Sequence, residues 1–86
     1  MTELMTHQVR PLKLLIRRTP GRDGYIKFTL RRGTRLMFLD YDPVFASGRQ
    51  WRAIEAESGL RGWVDTVFLS AIKPVAAREL PQMWYS

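Results

Sequence analysis

The sequence contains no cysteine, only one histidine and no long apolar run. Without cysteine, the chain has no disulfide framework, no thiolate chemistry and none of the usual structural zinc sites. The single histidine, His7, lies in a polar stretch near the start of the chain. We therefore expect no catalytic triad, no metal centre and no cofactor, and we predict that the chain is not an enzyme.

The apolar runs are short. Within the first twenty residues the longest is Leu14-Leu15-Ile16, which two arginines follow directly. This run is much shorter than the apolar stretch of a secretory signal peptide, and no segment approaches the roughly 20 apolar residues of a membrane span. These features predict a cytoplasmic protein without a membrane partner.

Positive charge is in excess. The 86 residues include 14 basic and 8 acidic side chains, which gives a formal net charge of +6. Most of the basic residues are arginines, which bind carboxylates and phosphates through paired hydrogen bonds and stack on aromatic rings. The excess favours a partner with an acidic protein surface or a nucleic acid. An ordinary charged, solvated surface is the alternative.

Short alternating segments separated by turn signals follow the first ten residues. Leu12, Leu14 and Ile16 alternate with more polar positions, which is typical of a half-buried strand. Similar patterns predict strands over 12–17, 25–28, 35–41, 51–57, 63–65 and 71–73, with a 3₁₀ turn at 66–69. Short strands at this spacing indicate a small barrel or sandwich. We predict a flexible tail over 1–10, a barrel over 11–75 and a C-terminal extension over 76–86.

The order of several motifs resembles the bacterial SH3 family. The second half of that domain is similar to Trp51-Arg52-Ala53-Ile54, Gly59, Gly62-Trp63-Val64 and Phe68-Leu69. Leu14 to Pro20 and Gly33 to Leu39 look like its first and third strands, so the resemblance covers about residues 12–73. It implies a small SH3-like barrel of five to six short antiparallel strands with a short 3₁₀ turn.

This chain also departs from the family's pattern. Many family members are exported and bind cell-wall peptides, whereas the first twenty residues here carry no export signal. The first strand lacks the family's usual asparagine, and Arg18 stands in the turn where a small residue is common. The barrel is therefore carried over as an expectation, but the cell-wall ligand is not.

Gly62 and Trp63 are expected to determine the fold. Glycine allows a tight turn before the tryptophan, and a tryptophan ring can bury about 150–250 Å² in a small core. Replacing a buried Trp63 by alanine would cost about 3–5 kcal/mol.

Three aromatic residues, Tyr25, Tyr41 and Trp51, are the first candidate partner-binding residues. They lie at strand ends beside long loops, and in SH3-like barrels that end often holds an extended peptide. Exposed Tyr and Trp rings lose little entropy on binding and stack on proline or guanidinium groups. In the alternative interpretation, the three rings close the ends of the core.

A second candidate surface is basic. Arginines flank the first turn and the next one, and we expect the two groups to approach one another as a positive patch. The patch comprises Arg17, Arg18, Arg22, Arg31, Arg32 and Arg35. With the neighbouring aromatic rings it suits phosphates and stacked bases. The alternative is an ordinary charged rim.

The C-terminal residues Met83, Trp84 and Tyr85 are unusually apolar for a free end. They are expected to pack on the barrel or on a second copy of the chain, which makes a homo-oligomer one candidate state. Glu55 and Glu57 share one strand face, and we interpret them as solvated side chains rather than a catalytic pair.

Together these features favour a non-catalytic SH3-like binding module that recognises a peptide or an acidic protein surface. Its context would be a larger assembly or a mobile-element protein. The alternative is a small β-barrel that binds nucleic acid through an arginine rim.

Overall fold

The computed structural model describes residues 5–72, which form eight strands and one 3₁₀ turn. The elements are β1 (His7–Val9), β2 (Lys13–Arg17), β3 (Ile26–Arg31), β4 (Arg35–Phe38), β5 (Val44–Ala46), β6 (Arg49–Ala56), β7 (Arg61–Asp65), the 3₁₀ turn η1 (Thr66–Phe68) and β8 (Leu69–Ala71). All pairs are antiparallel, in the order β3-β2-β7-β6-β4-β1-β8, and β5 pairs with β6. The all-β class and the 3₁₀ turn are therefore confirmed.

The sheet curves around one apolar core. Every strand except β5 contributes a buried side chain: Val9, Leu14, Ile16, Leu30, Leu36, Ile54, Ala56, Val64 and Leu69. Phe28 and Phe38 pack against this cluster from its margin. A curved, barrel-like sheet places the inward apolar side chains of its alternating strands in one such core. The strands β1 and β5 are additional to the six that the sequence predicts.

The strand β1 corrects the prediction of a flexible tail over residues 1–10 at residues 7–9, whereas residues 1–4 lie outside the described range. Gln8 pairs with Arg35 of β4 on one side and with Ser70 of β8 on the other. Val9 is buried in the core. A strand of three residues is too short to show the alternation of apolar and polar side chains from which strands are predicted. The sequence pattern therefore missed β1, which its pairing with β4 and β8 stabilises.

Other predictions fall on residues outside the described range. Residues 1–4 and 73–86 are not described, and they include the domain boundary at 75 and the apolar group Met83, Trp84 and Tyr85. Between residues 5 and 72, no helix has the length and apolar character needed to cross a membrane.

A tight hairpin connects β5 to β6. Ser47 and Gly48 form its two-residue loop, with φ values of 54° and 72°. Positive φ at both central residues defines the type I′ turn, whose twist matches that of the flanking strands. The predicted strands end at residue 41 and begin again at residue 51, so the sequence pattern missed this hairpin. The Ser-Gly pair is its local signal.

His7 takes part in an aromatic stack at one end of the sheet. Its ring centroid lies 4.5 Å from that of Phe38, and the Arg52 guanidinium lies 4.3 Å from the Phe38 centroid. The Nδ1 atom of His7 lies 2.9 Å from the hydroxyl oxygen of Thr6. Partial burial, and secondly the positive charge of Arg52, lower the pKa of His7 below its ordinary value of 6.5.

The lowered pKa of His7 predicts a loss of stability in mild acid. The unfolded chain binds the histidine proton near pH 6.5, whereas the folded chain resists it to lower pH. The contribution of neutral His7 is therefore complete above pH 6.5 and is lost as the pH falls through the folded pKa. Urea unfolding between neutral pH and about pH 5 should show this loss, and His7→Gln should remove it. A pKa of His7 at or above 6.5 by proton NMR would contradict the assignment.

Candidate partner-binding face

One face of β6 and β7 points away from the core and carries both candidate clefts. Trp51, Ala53 and Glu55 lie on this face because they alternate with the core-facing residues of β6. The residues opposite them on β7 are Asp65, Trp63 and Arg61. We call the two openings on this face the Trp51 cleft and the Trp63 cleft.

The Trp51 cleft has a volume of about 250 Å³. It lies between β2 and the end of β7, which share a single register pair, Arg17 with Trp63. Apolar side chains and four cations line it, together with one carboxylate: Pro11, Leu14, Leu15, Trp51, Phe68, Lys13, Arg17, Arg22, Arg49 and Asp65. The cleft therefore combines an apolar wall with a positive rim.

Trp51 is buried at the base of this cleft. The residue is only 3% exposed, and its indole Nε1 donates a hydrogen bond to the backbone oxygen of Ala46 at 2.8 Å. The prediction of an exposed Trp51 anchor is therefore wrong. The β5–β6 hairpin supplies the acceptor for the indole and fixes the ring.

The carboxylate of Asp65 is already engaged. Asp65 is 8% exposed, and its Oδ1 accepts a hydrogen bond from the backbone N–H of Val67 at 3.1 Å, which caps η1. Its Oδ2 lies 3.6 Å from Nη1 of Arg49. These contacts compensate the negative charge within the cleft, so the other three cations determine the local field.

The Trp63 cleft has a volume of about 310 Å³ and lies beside the first. Three cations and two aromatic rings line it with smaller apolar groups: Arg18, Lys27, Arg61, Tyr41, Trp63, Leu39, Ala53 and Gly62. The Tyr41 and Trp63 ring centroids are 6.3 Å apart with an interplanar angle of 38°. Tyr41 is 61% exposed and Trp63 is half-buried.

Trp63 thus lies on the outer face, not in the core. Its strand neighbours Gly62 and Val64 face inward, so the side chain of Trp63 points away from the apolar cluster. The prediction that Trp63 is a buried core residue is wrong. Gly62 is also inside β7 rather than at the turn before it.

A hydrogen bond to the backbone and an ion pair each hold one of the cations of the Trp63 cleft in place. The ammonium of Lys27 donates a hydrogen bond to the backbone oxygen of Arg61 at 2.8 Å. Nε of Arg61 lies 2.7 Å from Oε1 of Glu55 in an ion pair. Arg18 is exposed.

The two clefts adjoin one another. Trp51 and Ala53 are two residues apart on the same face of β6, and Arg17, which lines the first cleft, is paired with Trp63 of the second. Seven cations and one carboxylate, that of Asp65, line the two clefts. Arg49 is paired with Asp65 and Arg61 is paired with Glu55 of the same face, so five of the seven cations have no carboxylate partner among the described residues. The combined surface is therefore positive and carries exposed aromatic rings.

The structure divides the predicted binding residues among different places. Arg17 and Arg22 line the Trp51 cleft, whereas Arg18 and Tyr41 line the Trp63 cleft. Tyr25 is 80% exposed but lines neither cleft.

Arg31, Arg32 and Arg35 line neither cleft. The β2–β3 register places Arg31 opposite Lys13, which lines the Trp51 cleft. Nε of Arg32 donates a hydrogen bond to the backbone oxygen of Arg10 at 2.9 Å. One patch formed by both groups of arginines therefore stays a prediction.

Comparison of the chain with protein-family models, with curated proteins and with solved structures gives no match.

Proposed function

We propose that the chain is a non-catalytic, SH3-like binding module of the bacterial SH3 family that holds an extended acidic segment of a protein partner at the Trp63 cleft. The observation that carries this proposal is the position of the Tyr41 and Trp63 rings among three cations. Rigid aromatic rings lose little entropy on binding, and guanidinium groups pair with carboxylates.

The adjacency of the two clefts supports an extended ligand. Residues two apart on one strand are separated by about 7 Å, which is also the spacing of same-side side chains in an extended peptide. A partner segment held at the Trp63 cleft would then continue in extended form along the same face of β6 and β7. The partner's context, a larger assembly or a mobile-element protein in the cytoplasm, rests on the sequence alone.

Binding of single-stranded nucleic acid is the second candidate function. The five cations that have no carboxylate partner within residues 5–72 suit a phosphate backbone, and exposed rings such as Tyr41 stack bases without sequence preference. The two functions differ in their salt dependence, because each neutralised phosphate releases counterions.

The test compares two probes by NMR titration of the full chain. The first is a peptide of alternating glutamate and proline, and the second is an oligothymidylate. We expect the peptide to bind at low salt with a Kd of about 0.1 mM and to shift the indole signal of Trp63. Arg18→Glu should weaken this binding about tenfold, since it places a like charge beside the ligand's carboxylates.

The matched control is Arg35→Glu, which makes the same charge change at an exposed position of β4 outside both clefts. An equal loss of peptide affinity in the two variants would show that only the net charge of the chain attracts the peptide, and this would contradict the proposal. Tighter binding of the oligothymidylate, with a steep loss between about 50 and 200 mM salt, would replace it with the second function. Failure of both probes to bind would refute both functions.

A further inference from the structure

We propose that the Trp51 cleft is a separate binding site for a small amphipathic anion, an apolar group of about one ring that carries a carboxylate or a phosphate. This site differs from the Trp63 cleft in its lining and in its chemistry. The inference does not depend on the peptide proposed above.

The shape of the cleft follows from the strand pairing. β2 is paired with β7 only through Arg17 and Trp63, so the preceding part of β2 leaves a gap beside η1. Trp51 closes the base of this gap, and its hydrogen bond to Ala46 holds the ring in position. The base of the site is therefore preformed by a buried, hydrogen-bonded ring.

Apolar side chains form the walls on both sides. Leu15 and Phe68 both line the cleft, and each is 40% exposed. An apolar ligand would remove this surface from water, which contributes about 25 cal/mol for each Å² buried. The volume of about 250 Å³ lies below the usual range of roughly 300–1,000 Å³ for drug-sized ligands, so it suits one ring or one side chain.

The rim selects the sign of the ligand's charge. Lys13 and Arg22 are exposed at the opening, whereas Arg17 donates a hydrogen bond to the backbone oxygen of Gly24 at 2.8 Å. Asp65 is engaged by Arg49 and by the N–H of Val67, so it offsets little of the positive field. An anion is attracted to this rim, and an ammonium group is repelled.

The apolar wall and the positive rim together define one class of ligand. A bare inorganic anion makes no use of the walls, and a neutral apolar molecule makes no use of the rim. A ring with an attached anion uses both. The terminal carboxylate of a peptide with an apolar last residue and the phosphate of an aryl ester both meet this description.

Four probes of similar size test the proposal by NMR titration of the full chain: 3-phenylpropionate, phenyl phosphate, 3-phenylpropionamide and 2-phenylethylammonium. We expect the two anions to bind with a Kd of about 1 mM and to shift the indole signal of Trp51. The amide and the ammonium probes should bind at least about tenfold more weakly. Tighter binding of the phosphate would identify a phosphate-bearing ligand, and tighter binding of the propionate a carboxylate.

Two variants place the effect at the rim. Lys13→Gln and Arg22→Gln should each weaken anion binding roughly threefold to tenfold, whereas Arg35→Gln on β4, outside both clefts, should leave it unchanged. All three residues are exposed, so the variants are expected to fold. Equal binding of the amide and the propionate, or an unshifted Trp51 signal, would overturn the proposal. The Trp63 signal reports the peptide interaction separately, so either proposal can fail without the other.

Discussion

Trp51→Ala is expected to lower the free energy of unfolding by about 3–5 kcal/mol, whereas Trp63→Ala should lower it by only about 1 kcal/mol. The first substitution removes a ring that is 3% exposed and leaves the oxygen of Ala46 without its donor. The second removes a half-buried ring from the outer face, so only part of its transfer free energy is lost. The expected order is the reverse of the one that the sequence pattern suggests.

Urea unfolding followed by far-UV circular dichroism measures both effects. Trp51→Phe keeps an aromatic ring of smaller volume and removes the indole N–H, so its cost combines the lost hydrogen bond with a smaller cavity than that of Trp51→Ala. This variant should cost about 1–3 kcal/mol. Equal destabilisation by Trp51→Ala and Trp63→Ala would show that the burial of these rings is assigned incorrectly.

Gly62→Ala is expected to destabilise the chain by about 3 kcal/mol, although it adds a single methyl group. The Cβ atom would overlap Cγ2 of Ile16 and would lie 3.0 Å from the backbone oxygen of Arg17. Ile16 is fully buried in the core, so it has little space to move. The absence of a side chain at residue 62 therefore allows β2 and β7 to approach closely.

A double-mutant cycle with Ile16→Ala tests this explanation. Ile16→Ala removes the overlapping methyl group at a cost of about 2–5 kcal/mol. The two substitutions together should cost less than the sum of their separate effects, because the second relieves the overlap caused by the first. Additive effects within about 0.5 kcal/mol would contradict a direct clash between residues 16 and 62.

The sequence predicts the strands well but not the direction in which some side chains face. Leu14 and Ile16 are buried as their alternation indicates, and Leu36 is as well. On β6, by contrast, apolar residues occupy both faces, since Ala53 and Ile54 are neighbours and both are buried. Alternation on such a strand cannot indicate which face meets the core, and the interpretation of Trp51 was wrong for this reason. On β7, Trp63 and Val64 are likewise apolar neighbours, and Val64 is the one that faces the core.

The candidate site was less predictable than the fold, because it depends on register. Lys27 and Arg61 are 34 residues apart in sequence. They line one cleft because their strands, β3 and β7, both pair with β2. Nothing in the local sequence relates them. Tyr41 and Arg18 were identified from their residue types and their places beside turns, and these two predictions did identify residues of the Trp63 cleft.

The position of β1 between β4 and β8 brings the two ends of the described chain together. The N–H of Ile72 donates a hydrogen bond to the oxygen of Thr6 at 2.9 Å, so the backbone enters and leaves the sheet at neighbouring points. A domain with this geometry can be inserted into a surface loop of another protein without forcing the host's strands apart. The same adjacency permits a circular permutation that joins these ends and opens an exposed turn elsewhere in the sheet.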